Sequence, residues 1–226
     1  MKLFARTVGT TGTPIIILHG IFGTSDNWLG IAKAFAETNR IFLLDQRNHG
    51  QSPWSDEFDY QVMAADLMEF IEDNDLVNPI IIGHSMGGYV ALAVAELYPE
   101  FMKGLVLLNS TSRADSEERI ANRTRAIKAV KQNYVAAVRM SISNLFSEEN
   151  RTKLSEQIEW VREKALQTPL QGIIAAQEGM KLRKDREVIL HFATYPILLI
   201  LGEKDPVLNY EENLEQIEGT NVKLIS

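Results

Sequence analysis

The run Ile80-Ile81-Ile82-Gly83-His84-Ser85-Met86-Gly87-Gly88-Tyr89 carries an apolar strand straight into Gly-x-Ser-x-Gly, with a helical sequence immediately behind it. A chain that turns from strand to helix in so few residues strains the backbone at the corner, and the flanking glycines supply the room that the turn needs. The pattern therefore predicts a serine hydroxyl pushed out of the corner. It also sets the Met86 backbone N–H, in the first turn of the helix, toward the place where an acyl oxygen would gather negative charge. Ser85 reads as a nucleophile and Met86 as an oxyanion donor. The bland alternative is a glycine-rich turn with an idle serine, and the surrounding motifs have to decide between them.

Around this corner, short β-branched or leucine-rich runs alternate with longer amphipathic stretches, the mark of βα units about a mostly parallel sheet. Strands are predicted near residues 2–8, 14–18, 40–44, 79–83, 104–109, 196–202 and 221–226. Helical spacing fills most of the gaps. Residues 61–73 set Val62, Ala65, Leu67, Met68 and Ile71 largely on one side, and Tyr89 to Leu97 continue from the elbow. Residues 111–190 break the rhythm. They hold no strand pattern, are rich in Arg, Lys, Glu and Ala, and repeat apolar residues at helical spacing, as in Tyr134, Val138, Ile142 and in Leu154, Ile158, Val161. This predicts a core of residues 1–110 and 191–226 with a helical cap of residues 111–190 inserted in it.

Composition narrows what such a chain acts on. With 226 residues, 45% of them hydrophobic and 23% charged, the chain is long enough for one large α/β domain and an insertion. Its net charge of −7 argues against nucleic acid or an anionic membrane as the main partner. The longest apolar runs, such as Ile197 to Leu201, are strand length and too short to span a bilayer. The absence of cysteine excludes disulfides, thiolate metal sites and a cysteine nucleophile. The first residues lack the apolar core and cleavage site of a secretory signal. The expectation is a cytoplasmic protein, monomer or homodimer, that acts on a small molecule without metal or cofactor.

Two further motifs fall where acyl-transfer chemistry would want them. His19-Gly20-Ile21-Phe22-Gly23 follows the strand Ile15 to Leu18. A backbone N–H there, that of Ile21, pairs with that of Met86 to hold an oxyanion, each donor contributing about 10²–10³ in rate. The alternative is a plain strand-to-loop turn. Leu201-Gly202-Glu203-Lys204-Asp205-Pro206 sets Asp205 beyond the end of its strand, where it can orient an imidazole or simply make a good turn. Asp115 is the reserve acid, and Glu117 and Glu118 read as solvated residues opening a cap helix. In the loop Asp45 to Pro53, Arg47 and Asp45 are expected to form a buried ion pair, in preference to a substrate-binding arginine. Phe22, Trp28 and Trp54 either line an acyl pocket or pack as core and cap contacts.

Together, Leu18-His19-Gly20-Ile21-Phe22-Gly23-Thr24-Ser25-Asp26-Asn27-Trp28, Asp45-Gln46-Arg47-Asn48-His49-Gly50-Gln51-Ser52-Pro53 and Gly83-His84-Ser85-Met86-Gly87-Gly88 resemble the small cytosolic serine esterases of the α/β-hydrolase superfamily. The resemblance implies a sheet of up to eight strands with the second antiparallel, a helical cap over the site, and a triad in the order serine, acid, histidine. It implies that the chain starts at the family's second strand and stops inside the last, so a histidine loop and a closing helix are expected after Ser226. Of the four histidines present, His19 is expected to brace the oxyanion loop, His49 to fix a turn, His84 to face away from Ser85, and His191 to be a surface or cap-hinge residue.

The resulting reading is a cofactor-free serine hydrolase that cleaves carboxylic esters of small or medium size through an acyl-enzyme. Ser85 attacks, a histidine relays the proton, and Asp205 steadies the imidazolium. Thioesterases, C–C bond hydrolases and lyases share that triad. A ligand-binding homologue without turnover is the reading from another class.

Overall fold

The extended runs assemble into one seven-stranded sheet. In the computed structural model, which describes residues 1–226, the strands are β1 (Ala5–Val8), β2 (Thr13–Leu18), β3 (Asn39–Leu44), β4 (Ile80–His84), β5 (Gly104–Leu108), β6 (Ile197–Ile200) and β7 (Lys223–Ile225). Their order is β1-β3-β2-β4-β5-β6-β7. β1 runs antiparallel to β3, and every other neighbouring pair is parallel. The two edge strands are shorter than their sequence patterns predict, four and three residues long. An edge strand has a partner on one side only, so fewer ladder bonds hold its ends in place.

Period-two alternation sorts the central strands between two apolar layers. Ile16 and Leu18 of β2 join Phe42 and Leu44 of β3 on one face, while Ile15 and Ile17 join Ile41 and Leu43 on the other. Both faces are covered, which is why these strands read as near-continuous apolar runs. Helix α1 (Leu29–Phe35) contributes Ala32 to the second layer. Helices α2 (Tyr60–Asp73) and α3 (Met86–Leu97) pack on the first. The Asp59 carboxylate starts α2 by accepting the Val62 N–H at 2.7 Å. The buried stripe of α2 runs Tyr60, Met63, Ala64, Leu67, Met68, Ile71. Ala65, assigned to that face from the sequence, is exposed, because the stripe keeps helical spacing from Tyr60.

Between β5 and β6 the chain leaves the sheet for five helices: α4 (Glu117–Gln132), α5 (Tyr134–Ser143), α6 (Glu148–Lys153), α7 (Ser155–Ala165) and α8 (Leu170–Leu182). It returns through α9 (Glu187–Phe192), and α10 (Tyr210–Glu215) follows β6. The insert has an apolar core of its own, built from Val130, Val138, Ile142, Ile158 and Ile173, into which Phe22 projects from the loop after β2. Burying such a side chain contributes about 1.5–3 kcal/mol, so Phe22 ties the insert to the sheet. No helix is long and apolar enough to cross a membrane.

The strand order also says where a site belongs. From β2 the chain moves outward to β3, then passes back to lay β4 on the other side of β2. The loops leaving the carboxyl ends of β2 and β4 therefore diverge, and a crevice opens between them. Those loops are the segment from His19 to Gly23 and the corner at Ser85.

Candidate active site

Ser85 occupies the corner with φ 51° and ψ −116°, and α3 begins at the next residue. A non-glycine residue there is strained by about 1–3 kcal/mol. It is held by its surroundings. The Ser85 N–H donates to the Leu108 carbonyl at 3.0 Å, its carbonyl accepts the Gly88 N–H at 2.9 Å, and the Ser110 hydroxyl donates to the same carbonyl at 2.9 Å. The glycines permit this crowding. A Cβ on Gly83 would lie 2.5 Å from the Gly87 carbonyl oxygen, and one on Gly87 would lie 2.4 Å from that of Leu18. The second approach presses α3 against the end of β2, which brings the two diverging loops together. Met86, the first residue of α3, keeps its side chain buried. Its N–H has no helical carbonyl four residues back to receive it.

The loop after β2 is braced as the sequence predicts. His19 is buried, and its Nε2 accepts the Gln46 N–H at 3.0 Å, which leaves the ring proton on Nδ1 to donate to the Gly20 carbonyl at 2.7 Å. His49 Nε2 meets the Ile21 carbonyl at 2.6 Å and its Nδ1 the Arg47 carbonyl at 3.0 Å. Desolvation lowers the pKa of both rings. The expected Asp45–Arg47 ion pair does not form. Asp45 instead accepts the backbone N–H groups of Ser25 at 2.6 Å and Gln51 at 2.8 Å, so it joins two loops. Arg47 makes a two-point contact with Asp66 on the buried face of α2, at 2.6 and 2.9 Å. With both Asp45 oxygens already taken by backbone donors, the planar fork turns to the carboxylate that can meet it edge-on.

A cavity of about 550 Å³ lies between the corner, this loop and the helical insert. Of the residues singled out from the sequence, Ser85, Ile21, Phe22, Trp28 and Asp205 line it. Trp54 does not. It stands exposed on the surface. Asp205 Oδ1 accepts the N–H groups of Val207 at 2.7 Å and Leu208 at 3.0 Å, so the carboxylate makes the turn and faces the cavity together. Its other oxygen takes part in neither bond. His84 also lines the cavity, edge-on to Trp28 with ring centroids 5.5 Å apart. Burial pushes its pKa down to about 4, against the opposing charge of Asp205. His191 is exposed on α9. The hydrogen bonds of His19 and His49 reach neither Ser85 nor Asp205.

Asp115, the reserve acid, is engaged elsewhere. Its side chain is fully buried among Arg119, Arg123 and Arg183. Burial alone would raise its pKa, but the hydrogen bond from Arg123 and the charges of Arg183 and Arg123 hold it below the ordinary value. Sequence reasoning missed the cap side of the wall, where Arg119, Arg123 and Gln177 stand. A signal was present: Arg119 and Arg123 are four residues apart, one turn of α4, and Asp115 stands just before that helix's N-cap, Ser116. No group of three His, Asp or Glu side chains is gathered as a metal ion would need.

Comparison with known proteins agrees with this architecture. A thermophilic esterase from Thermogutta terrifontis, solved with malate bound, superposes with a TM-score of 0.87 at 28% identity, covering 99% of this chain and 84% of that one. An esterase from a marine microorganism gives 0.75 at 29% identity, covering 99% and 90%. The sn-1-specific diacylglycerol lipase ABHD11 of Xenopus laevis is 39% identical over 97 residues, which is 42% of this chain. That stretch is 31% of the frog protein, so the match spans about a third of that relative's length. The sequence model of the alpha/beta hydrolase fold matches residues 13–224, and with nearly the whole sheet and the helical insert inside that match, the chain belongs to the alpha/beta hydrolase fold family.

Proposed function

We propose that the protein hydrolyses carboxylic esters of small or medium size, with Ser85 as nucleophile. The observation that carries this reading is the strained Ser85 backbone at the start of α3, opening on a cavity that Ile21 and Asp205 also line. Strain at a corner is kept where it serves to present a side chain. In this reading the hydroxyl attacks the ester carbonyl, and the backbone N–H groups of Ile21 and Met86 receive the negative charge on its oxygen. The serine proton has to pass to a base and return to the leaving alcohol; a triad would use an imidazole steadied by the Asp205 oxygen that the turn leaves open, and none of His19, His49 and His191 is placed for that role. Water then cleaves the acyl-enzyme. His84 is a poor choice for the base, since a group with a pKa of about 4 has little affinity for a proton at neutral pH. Residues 111–190 act as a cap domain on a core of 1–110 and 191–226, and Phe22 and Trp28 form part of the acyl wall.

One observation favours a second reading, a ligand-binding protein without turnover: the hydrogen bonds of His19 and His49 reach neither Ser85 nor Asp205, and His191 is exposed. A fluorophosphonate probe separates the two. Labelling of the protein that Ser85→Ala abolishes, together with release of p-nitrophenol from p-nitrophenyl butyrate, is the expected result. Labelling no faster than that of Ser85→Ala, with ester still bound, would select the second reading.

A further inference from the structure

The cap side of the cavity is cationic in a chain whose net charge is −7. Arg119 and Arg123 stand one turn apart on α4 and both line the cavity, where Asp205 is the only acidic residue in the wall. Behind them, the buried Asp115 carboxylate meets Arg123 Nε, Arg183 Nη1 at 2.6 Å and Arg119 Nε at 3.3 Å. One carboxylate thus serves three guanidiniums and leaves positive charge unmatched. The three differ in what else they touch. Arg183 lies 4.2 Å over the Tyr89 ring and its side chain is buried. Arg123 donates its Nη1 to the Gln177 side-chain carbonyl at 3.3 Å. Arg119 holds Asp115 through Nε alone, is partly open at 28% exposure, and has no protein acceptor on its two terminal nitrogens.

An unpaired guanidinium fork at the wall of a largely apolar cavity fits the planar geometry of a carboxylate or the oxygens of a phosphate. We infer that this wall is an anion subsite: the ester presented to Ser85 carries a carboxylate or phosphate group, which Arg119 receives while Arg123 supplies positive potential behind it. The inference rests on the ester-hydrolase reading and names the class of ester. The rigid Asp115 cluster explains how the subsite is held. Because Arg123 and Arg183 fix Asp115, its carboxylate keeps a set position 3.3 Å from the Arg119 Nε, which reduces the freedom that Arg119 has to lose on binding.

The test compares p-nitrophenyl butyrate with an ester anionic on the acyl side, mono-p-nitrophenyl glutarate, and one anionic on the alcohol side, acetyl glycerol phosphate. Each is run on the wild type and on Arg119→Gln. Glutarate and glycerol phosphate are titrated by calorimetry against both proteins, which needs no turnover. The ratio of kcat/KM for one anionic ester to that for butyrate is expected to fall about tenfold or more in Arg119→Gln, the size of one lost charged hydrogen bond. The arm that falls identifies which side of the ester bears the anion. Binding of the matching free anion is expected to weaken likewise, and to weaken with salt in the wild type. If butyrate is turned over while neither ratio nor anion binding responds to Arg119→Gln, the subsite is wrong and the hydrolase reading stands. If no ester is turned over and Ser85 does not label, the hydrolase reading fails, and the calorimetry alone then upholds or overturns the subsite.

Discussion

Ser110 donates its hydroxyl to the Ser85 carbonyl across 2.9 Å, in a space that stays open only because residue 88 has no side chain. A Cβ on Gly88 would lie 2.1 Å from that hydroxyl oxygen. Gly88→Ala is therefore expected to cost about 1–3 kcal/mol by overpacking and to slow fluorophosphonate labelling, since the corner that presents Ser85 must shift. Gly30→Ala is the control. Gly30 lies in α1 with nothing within 4 Å of a built Cβ, so the change should stabilise by up to about 1 kcal/mol. Urea unfolding of the two variants checks both signs, and a Gly88→Ala protein of normal stability and labelling would count against the crowding.

The pairing of Arg47 with Asp66 joins the loop after β3 to α2, and both side chains are 4% exposed. Arg47→Met is expected to destabilise by about 3–5 kcal/mol, because it strands a carboxylate in the interior. The Met1 amino group, also on Asp66, recovers part of that loss. The double variant Arg47→Met with Asp66→Leu should regain most of the stability, since no buried charge is left alone. A double variant as unstable as the single one would mean that shape and not charge sets the cost.

Acid should weaken the fold earlier than its carboxylates require. Burial holds His84 near 4 and lowers His19 and His49 from 6.5. The unfolded chain takes up these protons near pH 6.5, whereas the folded chain resists until well below it. Between pH 6.5 and 4 the unfolded state binds more protons, so stability is full above the window and falls as pH drops through it. His84 alone accounts for roughly 3 kcal/mol by pH 4. Urea midpoints at pH 7.5, 5.5 and 4.5 should decline in that order, and His84→Asn should flatten the decline. A flat profile in the wild type would mean that the imidazoles charge without cost.

If the insert forms the acyl wall, Leu145 is a place to read it, since it lines the cavity yet is 44% exposed. Leu145→Trp should leave stability within about 0.5 kcal/mol. It should lower the ratio of kcat/KM for p-nitrophenyl hexanoate to that for the acetate by about tenfold, the discrimination that apolar pocket contacts supply. Equal losses on both esters would remove the insert from the acyl site.

Some of this architecture was legible along the chain because its causes lie within a few residues. The elbow at Ser85 follows from Gly83, Gly87 and the strand before them. The insert follows from helical spacing such as Val138 to Ile142, and the bracing role of His19 follows from its place at the end of β2. Other features were settled only by packing. Arg47 found Asp66 and not its near neighbour Asp45, because α2 turns Asp66 inward while two loop N–H groups claim Asp45. Asp115 went to three arginines, one of them 68 residues away on the loop after α8. Periodicity and turn chemistry are carried by adjacent residues, so sequence alone determines elements and corners. A charge does not name its partner, and only the meeting of distant helices decided which carboxylates were neutralised and which guanidinium was left facing the cavity.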